Sequence, residues 1–203
     1  MKSFGFINLV EYSTTSIQGT TLNPAIRGQV TFSIATGGIQ VQVIAEGLTN
    51  QAGQEIGIQI HEFGDISKVD GSSVGNPYIG KGSTNHSCEN STDRHEGDMG
   101  NWQVDGNGKI NQVKKKNFFS LWILNIEYFF LKTKVLNLIE LSQNFSIVGR
   151  SVVIHNQTDD CQTMFSSGPA IAQGVIGIGN ANLNNPVLVI KKIFQLIKLY
   201  IKK

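Results

Sequence analysis

Short segments in which apolar and polar residues alternate constrain the fold of this chain more than any other feature. The clearest is 39–46 (IQVQVIAE), and the same alternation appears in 27–33 (RGQVTFS) and 55–61 (EIGIQIH). A period of two places successive side chains on opposite faces of a strand. Stretches rich in Gly, Asn, Asp and Ser separate these segments and favour turns. The sequence therefore predicts an all-β fold, an antiparallel sandwich or barrel, and its 203 residues suit one such domain.

Further strands are predicted at 101–104 (NWQV), 137–142 (NLIELS), 147–155 (IVGRSVVIH) and 174–179 (GVIGIG). Two long stretches without a regular pattern lie among the strands, one from Gly64 to about Gly100 and one from Asn156 to about Gln173. Loops of this length inside a domain are usually functional or disordered. We therefore look for a functional site in these two loops.

The first loop contains a candidate metal site. His86 and His95 lie in it, and Asp98 follows His95 by three residues. This spacing allows a single turn to aim His95 and Asp98 at one ion, and two histidines with one carboxylate suit zinc. The alternative is that the loop histidines face solvent. A third histidine, His61, ends a predicted strand and shares its face with Gln59, whose amide is a poor metal ligand.

The overall charge argues against a nucleic-acid partner, because a formal net charge of +2 gives no broad basic field. No stretch reaches the roughly 20 apolar residues of a membrane span.

The sequence features that bear on location do not all agree. The first ten residues, MKSFGFINLV, resemble a signal peptide poorly, since Asn8 interrupts a short apolar run. Asn-x-Ser/Thr acceptor sequences occur at Asn85, Asn90, Asn144 and Asn156, and arise either by chance or from a secretory history. Together with the pair of cysteines they favour an extracellular location over a cytoplasmic one.

Two segments depart from the β pattern. Residues 113–136 (VKKKNFFSLWILNIEYFFLKTKVL) are rich in Lys, Phe, Leu and Asn and contain no Gly. They are either translated noncoding sequence or a real excursion that packs on the domain or a partner. Residues 187–203 form a predicted basic amphipathic helix, with Lys191 and Lys198 on one face. Packing of this helix on the domain, or a tail without a role, is favoured over contact with a membrane surface.

Four stretches resemble, in order, the signature blocks of the copper/zinc superoxide dismutases. They are GIQIHEFGD (57–65), DRHEGDMGN (93–101), GRSVVIHNQTDD (149–160) and GVIGIG (174–179). The resemblance implies a Greek-key, immunoglobulin-like barrel of eight antiparallel strands with a metal loop and an electrostatic loop at one end. It implies a family domain at 14–180 with a non-family insert at about 113–133, followed by a tail at 181–203. The family commonly forms dimers, so a homodimer is expected.

The resemblance also implies a set of metal ligands. His61 and His155 match copper ligands, and His86, His95 and Asp98 match three of the four zinc ligands. Asp159 matches the carboxylate that connects the two metal sites without binding either ion. All four histidines of the chain therefore fall on ligand positions of the family.

Several family positions are changed. Gln59 stands in place of a copper-ligating histidine, Val74 in place of the histidine that bridges copper and zinc, and Ala170 in place of the arginine that steers superoxide. Gln173 stands at a cysteine of the family disulfide. Cu(II) prefers a tetragonal nitrogen set, so Gln59 is interpreted as a lost ligand. We expect zinc to be retained, copper not to be held in both oxidation states, and superoxide removal to be weak or lost. The alternative is a non-enzymatic zinc-binding or copper-chaperone-like module of the same fold.

The two cysteines have their own interpretation. Cys88 follows His86 by two residues, and Cys161 follows Asp159 by two. If both loops take the family path, the cysteines come close and form a disulfide that replaces the lost one. The alternative is two unpaired thiols.

Overall fold

The computed structural model describes residues 12–35, 38–80, 84–88, 91, 93–114 and 146–180. The strands in these ranges are β1 (Tyr12–Gly19), β2 (Arg27–Ala35), β3 (Gly38–Glu46), β4 (Glu55–His61), β5 (Asp98–Gln103), β6 (Ile110–Lys114), β7 (Ser151–His155), β8 (Ala170–Val175) and the two-residue β9 (Gly177–Ile178). Two short 3-10 turns accompany them, at Thr49–Gln51 and Ser72–Val74. The predicted all-β class is confirmed.

The eight longer strands form one antiparallel sheet that nearly closes into a barrel. Their order is β5-β4-β7-β8-β1-β2-β3-β6, and β9 pairs with β1. Strands far apart in sequence are neighbours, as β4 with β7 and β1 with β8, which is the Greek-key feature that the resemblance implied. The two ends of the sheet, β5 and β6, meet at Lys114, whose Nζ donates to the carbonyls of Met99 and Asn101 at 3.3 and 2.7 Å.

The observed strand limits differ from the predicted ones in several places. β5 begins at Asp98 rather than at 101, and the predicted strand at 174–179 is divided between the end of β8 and β9. The predicted strand at 147–155 begins only at Ser151, because Arg150 N–H donates to the Ile147 carbonyl at 3.1 Å and makes a turn. The second loop ends before Ala170 rather than at about Gln173, because β8 already begins there. Two strands, β1 and β6, were not predicted.

Some predictions lie outside the described residues. These are the strand at 137–142, residues 115–133 of the insert, and the tail at 181–203. Residues 113 and 114, which the sequence placed at the start of the insert, belong to β6.

The two faces of β4 and β7 have different roles. Ile58, Ile60 and Ile154 are fully buried in the barrel core. The alternate side chains, Gln59 and His61 among them, point to the opposite face, which the two loops cover. No helix among the described residues is long and apolar enough to cross a membrane.

A glycine allows the second loop to lie directly on β4. A Cβ atom at Gly57 would be 2.7 Å from Cβ of Ser167 and 3.3 Å from Cβ of Asp159. A side chain at this position would therefore push the second loop, and Asp159 with it, away from the sheet.

Candidate metal centre

Three side chains of the first loop converge on one point. His86, His95 and Asp98 each offer a ligand atom, and these atoms all lie within 4.8 Å of one another. Oδ1 of Asp98 is 3.1 Å from Nδ1 of His86 and 3.5 Å from Nδ1 of His95. The three side chains are at most 3 % exposed. The structure thus brings together the residues that the sequence singled out in this loop.

The far side of each ring is held by an acceptor. Nε2 of His86 donates to Oδ1 of Asp159 at 2.8 Å, and Nε2 of His95 donates to the carbonyl of Thr84 at 3.1 Å. These bonds fix the orientation of both rings, so that Nδ1 of each faces Asp98.

Asp98 is held by the backbone around it. Its Oδ2 atom accepts the N–H groups of Ser87 and His95 at 3.2 Å each, which leaves Oδ1 for an ion. The buried Arg94 donates through Nη1 to the carbonyls of His95 and Asp98, both at 2.7 Å. Arg94 was not identified from the sequence, because an arginine next to a ligand carries no periodic or spacing signal of its own.

Hydrogen bonds set the protonation of this cluster in the metal-free protein. Bonds to Asp159 and Asp98 raise the pKa of His86 from 6.5 to about 10, and a bond to Asp98 raises the pKa of His95. Burial alone would raise the pKa of Asp98, but the bonds from the two imidazoles lower it. Near neutral pH the His86 ring is therefore protonated, and an ion must displace a proton to bind.

The cluster fits a zinc ion. Tetrahedral zinc with bonds of about 2.0–2.1 Å places neighbouring ligand atoms roughly 3.3–3.4 Å apart, and the distances to Asp98 are 3.1 and 3.5 Å. Nδ1 of His95 is also buried, and the atom it faces is Oδ1 of Asp98 at 3.5 Å, a long contact that leaves this nitrogen weakly satisfied. Three protein ligands leave a fourth position for water.

His61 and His155 form a second pair on the loop-covered face of the sheet. Their Nδ1 atoms donate to the carbonyls of Gly75 and Gly168 at 2.8 and 2.7 Å. Each Nε2 therefore carries a lone pair, and the two Nε2 atoms face each other at 3.2 Å. Burial, and then the ring of His155, lower the pKa of His61 to about 4, and burial lowers the pKa of His155. Two neutral imidazoles thus present their lone pairs to one point.

Asp159 contacts both His86 of the three-residue cluster and Gln59 of β4. Its Oδ1 accepts from His86, and its Oδ2 accepts from Nε2 of Gln59 at 3.3 Å. Gln59 is 1 % exposed, and its Oε1 has no hydrogen-bond partner among the described residues. Gln59 is therefore held by one end of its amide toward His86, His95 and Asp98, which we call the zinc cluster.

Aliphatic side chains stand at two of the changed positions. Val74 is buried in the turn Ser72–Val74, and the next residue, Gly75, supplies the carbonyl that holds His61. Ala170 begins β8 opposite His155. Neither side chain offers a donor atom or a charge to the site.

Gln173 and the cysteine pair connect the loops. Nε2 of Gln173 donates to the Lys68 carbonyl at 2.9 Å, so an amide ties the first loop to β8 where the resemblance places a cysteine. Cys88 and Cys161 form the predicted disulfide, with Cα atoms 4.7 Å apart. The N–H of Cys161 donates at 2.8 Å to Oδ1 of Asp159, the atom that also accepts from His86. The disulfide therefore joins the two loops beside the zinc cluster.

Fold and site together define an all-β domain with a candidate metal site, and its similarity to known proteins gives its family. Residues 26–129 match the model of the copper/zinc superoxide dismutase family. The chain is 32 % identical over 163 residues to a Cu-Zn superoxide dismutase of Saccharomyces cerevisiae, covering 76 % of this chain and 92 % of that protein. The chain belongs to the copper/zinc superoxide dismutase family.

The chain is also similar to an extracellular relative and to a protein of known structure. Extracellular Cu-Zn superoxide dismutase 2 of Dictyostelium discoideum is 30 % identical over 165 residues, which cover 80 % of this chain but only 32 % of that protein. The crystal structure of the clock protein EA4 matches with a TM-score of 0.62 and 27 % identity, covering 83 % of this chain and 95 % of that one.

Proposed function

We propose that this chain is a superoxide dismutase-like protein that holds zinc but removes superoxide weakly or not at all. In the family reaction, two superoxide ions and two protons give O2 and H2O2, and bound copper supplies the electron transfer by alternating between two oxidation states. The observation that carries the proposal is the arrangement at the copper position, where two imidazoles face each other and Gln59 is hydrogen-bonded to Asp159. Two imidazoles are half of the family's four-histidine set, and Cu(II) prefers a tetragonal nitrogen set.

We assign His86, His95 and Asp98 to zinc, with Asp159 orienting His86. The convergence of their donor atoms supports this assignment. We assign His61 and His155 to what remains of the copper position. We assign a catalytic role to none of these residues. The zinc would order the first loop, since binding of a structural ion contributes to folding.

The capture of substrate is also expected to be weak. Superoxide is an anion, and positive charge near a site raises the rate at which anions arrive. Ala170 supplies no charge where the family resemblance places an arginine. The bridging position, Val74, likewise has no group that can take up and release a proton in each cycle.

A non-enzymatic zinc-binding or copper-chaperone-like module of the same fold is the second candidate. The asymmetry between the two positions favours it, because the zinc cluster keeps three donors whereas the copper position keeps two imidazoles. An enzyme must hold copper in both oxidation states, and a binding module need not.

Metal analysis and an activity assay test the proposal together. The chain is incubated with zinc and copper, passed over a chelating column, and analysed for both metals and for superoxide removal. We expect about one zinc per chain, copper well below one, and turnover far below that of the yeast relative measured in parallel. Copper near one with full turnover would contradict the proposal, and so would the absence of zinc.

We further propose an extracellular homodimer built on the domain at 14–180. The disulfide Cys88–Cys161 and the extracellular relatives of Dictyostelium support the location. Phe63 and Ile178 are 56 % and 70 % exposed and offer an apolar surface to a second copy.

The insert at about 113–133 and the tail at 181–203 need separate tests. Sequencing of the mature transcript decides whether the insert is part of the protein. Proteins that carry or lack 181–203 test the role of the tail.

A further inference from the structure

The two histidines of the copper position leave room for another donor. If both Nε2 atoms, 3.2 Å apart, bind one ion through bonds of about 2 Å, they subtend an angle of roughly 100°. This angle separates neighbouring ligands rather than opposite ones. Further coordination positions of such an ion therefore remain open on the same sheet face.

Gln59 lies between this histidine pair and the zinc cluster. Its antiparallel partners are Asp98 on β5 and Val153 on β7. Because paired residues share a face, Gln59 has a member of the zinc cluster on one side. On the other side is Val153, whose next neighbour on that face is His155. His61 follows Gln59 by two residues and also lies on this face.

The contact with Asp159 fixes which end of the amide faces which side. A carboxylate can only accept hydrogen bonds, so the NH2 group of Gln59 must face Asp159 and Oε1 must point away from it. Oε1 is buried and has no partner among the described residues. The free end of the amide is thus an acceptor, like the Nε2 atoms of His61 and His155.

Two other buried glutamines share one property of Gln59 and can be compared with it. Gln51 and Gln173 also have a buried Oε1 without a partner in the described ranges. Gln51 lies in the 3-10 turn at Thr49–Gln51, and Gln173 lies two strands from Gln59 and donates to Lys68. Gln59 is the glutamine that occupies the same strand as His61 and contacts Asp159.

We propose that Gln59 is the third donor of a second cation site. Its amide nitrogen holds Asp159, and its amide oxygen binds, together with Nε2 of His61 and Nε2 of His155, a borderline divalent ion such as Cu²⁺. Imidazole suits copper and zinc, whereas an amide oxygen is a harder donor. This set holds the divalent state of copper better than the monovalent one, so a bound ion does not alternate between them. The inference rests on the proposed function and gives Gln59 a role that the sequence interpretation, a lost ligand, did not.

The test is an equilibrium titration of the full chain, already loaded with one zinc, with Cu²⁺ alone. Binding is followed by electron paramagnetic resonance (EPR) and visible absorption, without a chelating step that would remove a weakly held ion. We expect the wild type to bind a second equivalent. Gln59→Leu is expected to bind Cu²⁺ about tenfold or more weakly and to shift the EPR parameters, which change with the donor set. Gln51→Leu, the matched control, is expected to change neither.

Each outcome bears on the inference. If Gln59→Leu does not fold, Gln59→Ala, which also lacks a donor atom, is measured in its place. Gln173→Leu is titrated in the same way. Unchanged affinity and spectra in the folded Gln59 variant would overturn the inference, and so would weaker binding by Gln173→Leu but not by the Gln59 variant. A wild-type chain that binds one zinc but no Cu²⁺ overturns the inference and leaves the proposed function standing. A chain that binds no zinc overturns the proposed function itself.

Discussion

Nε2 of His61 lies 3.2 Å from Nε2 of His155, so two imidazoles that burial keeps neutral face each other across the site. Their other nitrogen atoms are held by carbonyls of the two loops, at Gly75 and Gly168. The pair therefore couples loop position to the protonation of the site. A proton added here is placed in a buried environment that disfavours the charged ring.

The metal-free protein is expected to lose stability as the pH falls from 6.5 to 4. The pKa of His61 is about 4 in the folded chain against 6.5 for an unperturbed histidine, so the unfolded chain binds the proton first. This contribution of His61 is complete above pH 6.5, and the free energy of unfolding is about 3 kcal/mol lower once the pH is below 4. Urea unfolding at several pH values measures the loss, and His61→Gln, which has no ring to titrate, is expected to show a smaller one. Equal pH dependence in both proteins would contradict the prediction.

Zinc uptake is expected to release protons. The pKa of His86 is raised to about 10 by Asp159 and Asp98, so this ring is protonated at pH 7.5 in the metal-free chain. Binding of zinc at Nδ1 must displace that proton, and roughly one to two protons should be released per ion. Calorimetric titrations in buffers of different ionisation enthalpy give the number. Asp159→Asn is expected to lower the pKa of His86 and hence the number released, whereas heats independent of the buffer would be incompatible with this account.

Reduction of the disulfide is expected to destabilise the chain and weaken zinc binding. Cys88 and Cys161 are 73 residues apart in sequence, and cross-linking a loop of that length contributes about 4 kcal/mol in the chain-entropy model. Reduction also frees the second loop beside Asp159, which orients His86. Urea unfolding and zinc release, with and without a thiol reductant, measure both effects. Cys88→Ser is the control, since its stability should match that of the reduced wild type and not respond to reductant.

Dimerisation is expected to depend on Phe63 and Ile178. The two side chains are well exposed, and Gly64, next to Phe63, lies against Val175, three residues before Ile178. The double variant Phe63→Glu/Ile178→Glu should shift a dimer to monomer in light scattering. Leu22→Glu is the matched control, because Leu22 is 58 % exposed but follows the far end of β1 from the Ile178 pairing. A dimer unaffected by the double variant would place the interface elsewhere.

A strand could be predicted from the sequence only where apolar side chains occupy its buried face. β2, β3 and β4 alternate apolar and polar residues and were predicted within two residues of their limits. β1 was missed because Ser13 and Thr15 are buried beside Ile17, so hydroxyl groups occupy inward positions that a hydrophobic pattern would fill with aliphatic residues. β6 was missed because it ends in the lysine-rich stretch that begins at 113.

The site was predictable in its residues but not in its contacts. The histidine and aspartate positions follow from spacing and resemblance, and the structure brings them into two groups. The carbonyls that hold the rings, such as those of Thr84 and Gly75, carry no side-chain signal. The bond between Gln59 and Asp159 depends on the loop lying on Gly57, which only the folded chain shows.

Replacing two changed residues should restore function in separate steps. Gln59→His supplies an imidazole that can donate to Asp159 and bind copper through its other nitrogen, so copper retention on a chelating column should rise about tenfold or more. Ala170→Arg adds positive charge opposite His155 and should leave copper retention unchanged, because it contributes no ligand. The double variant should remove superoxide faster than either single variant, with a rate that falls as ionic strength rises.

Copper retention and superoxide removal are measured for all three proteins, with Gln51→His as the control for an added histidine. If Gln59→His retains no more copper than the control, the position of Gln59 in the copper site is wrong. If the double variant retains copper but gains no activity, the missing bridge at Val74 is the remaining barrier, and a histidine at that position is the next variant to measure.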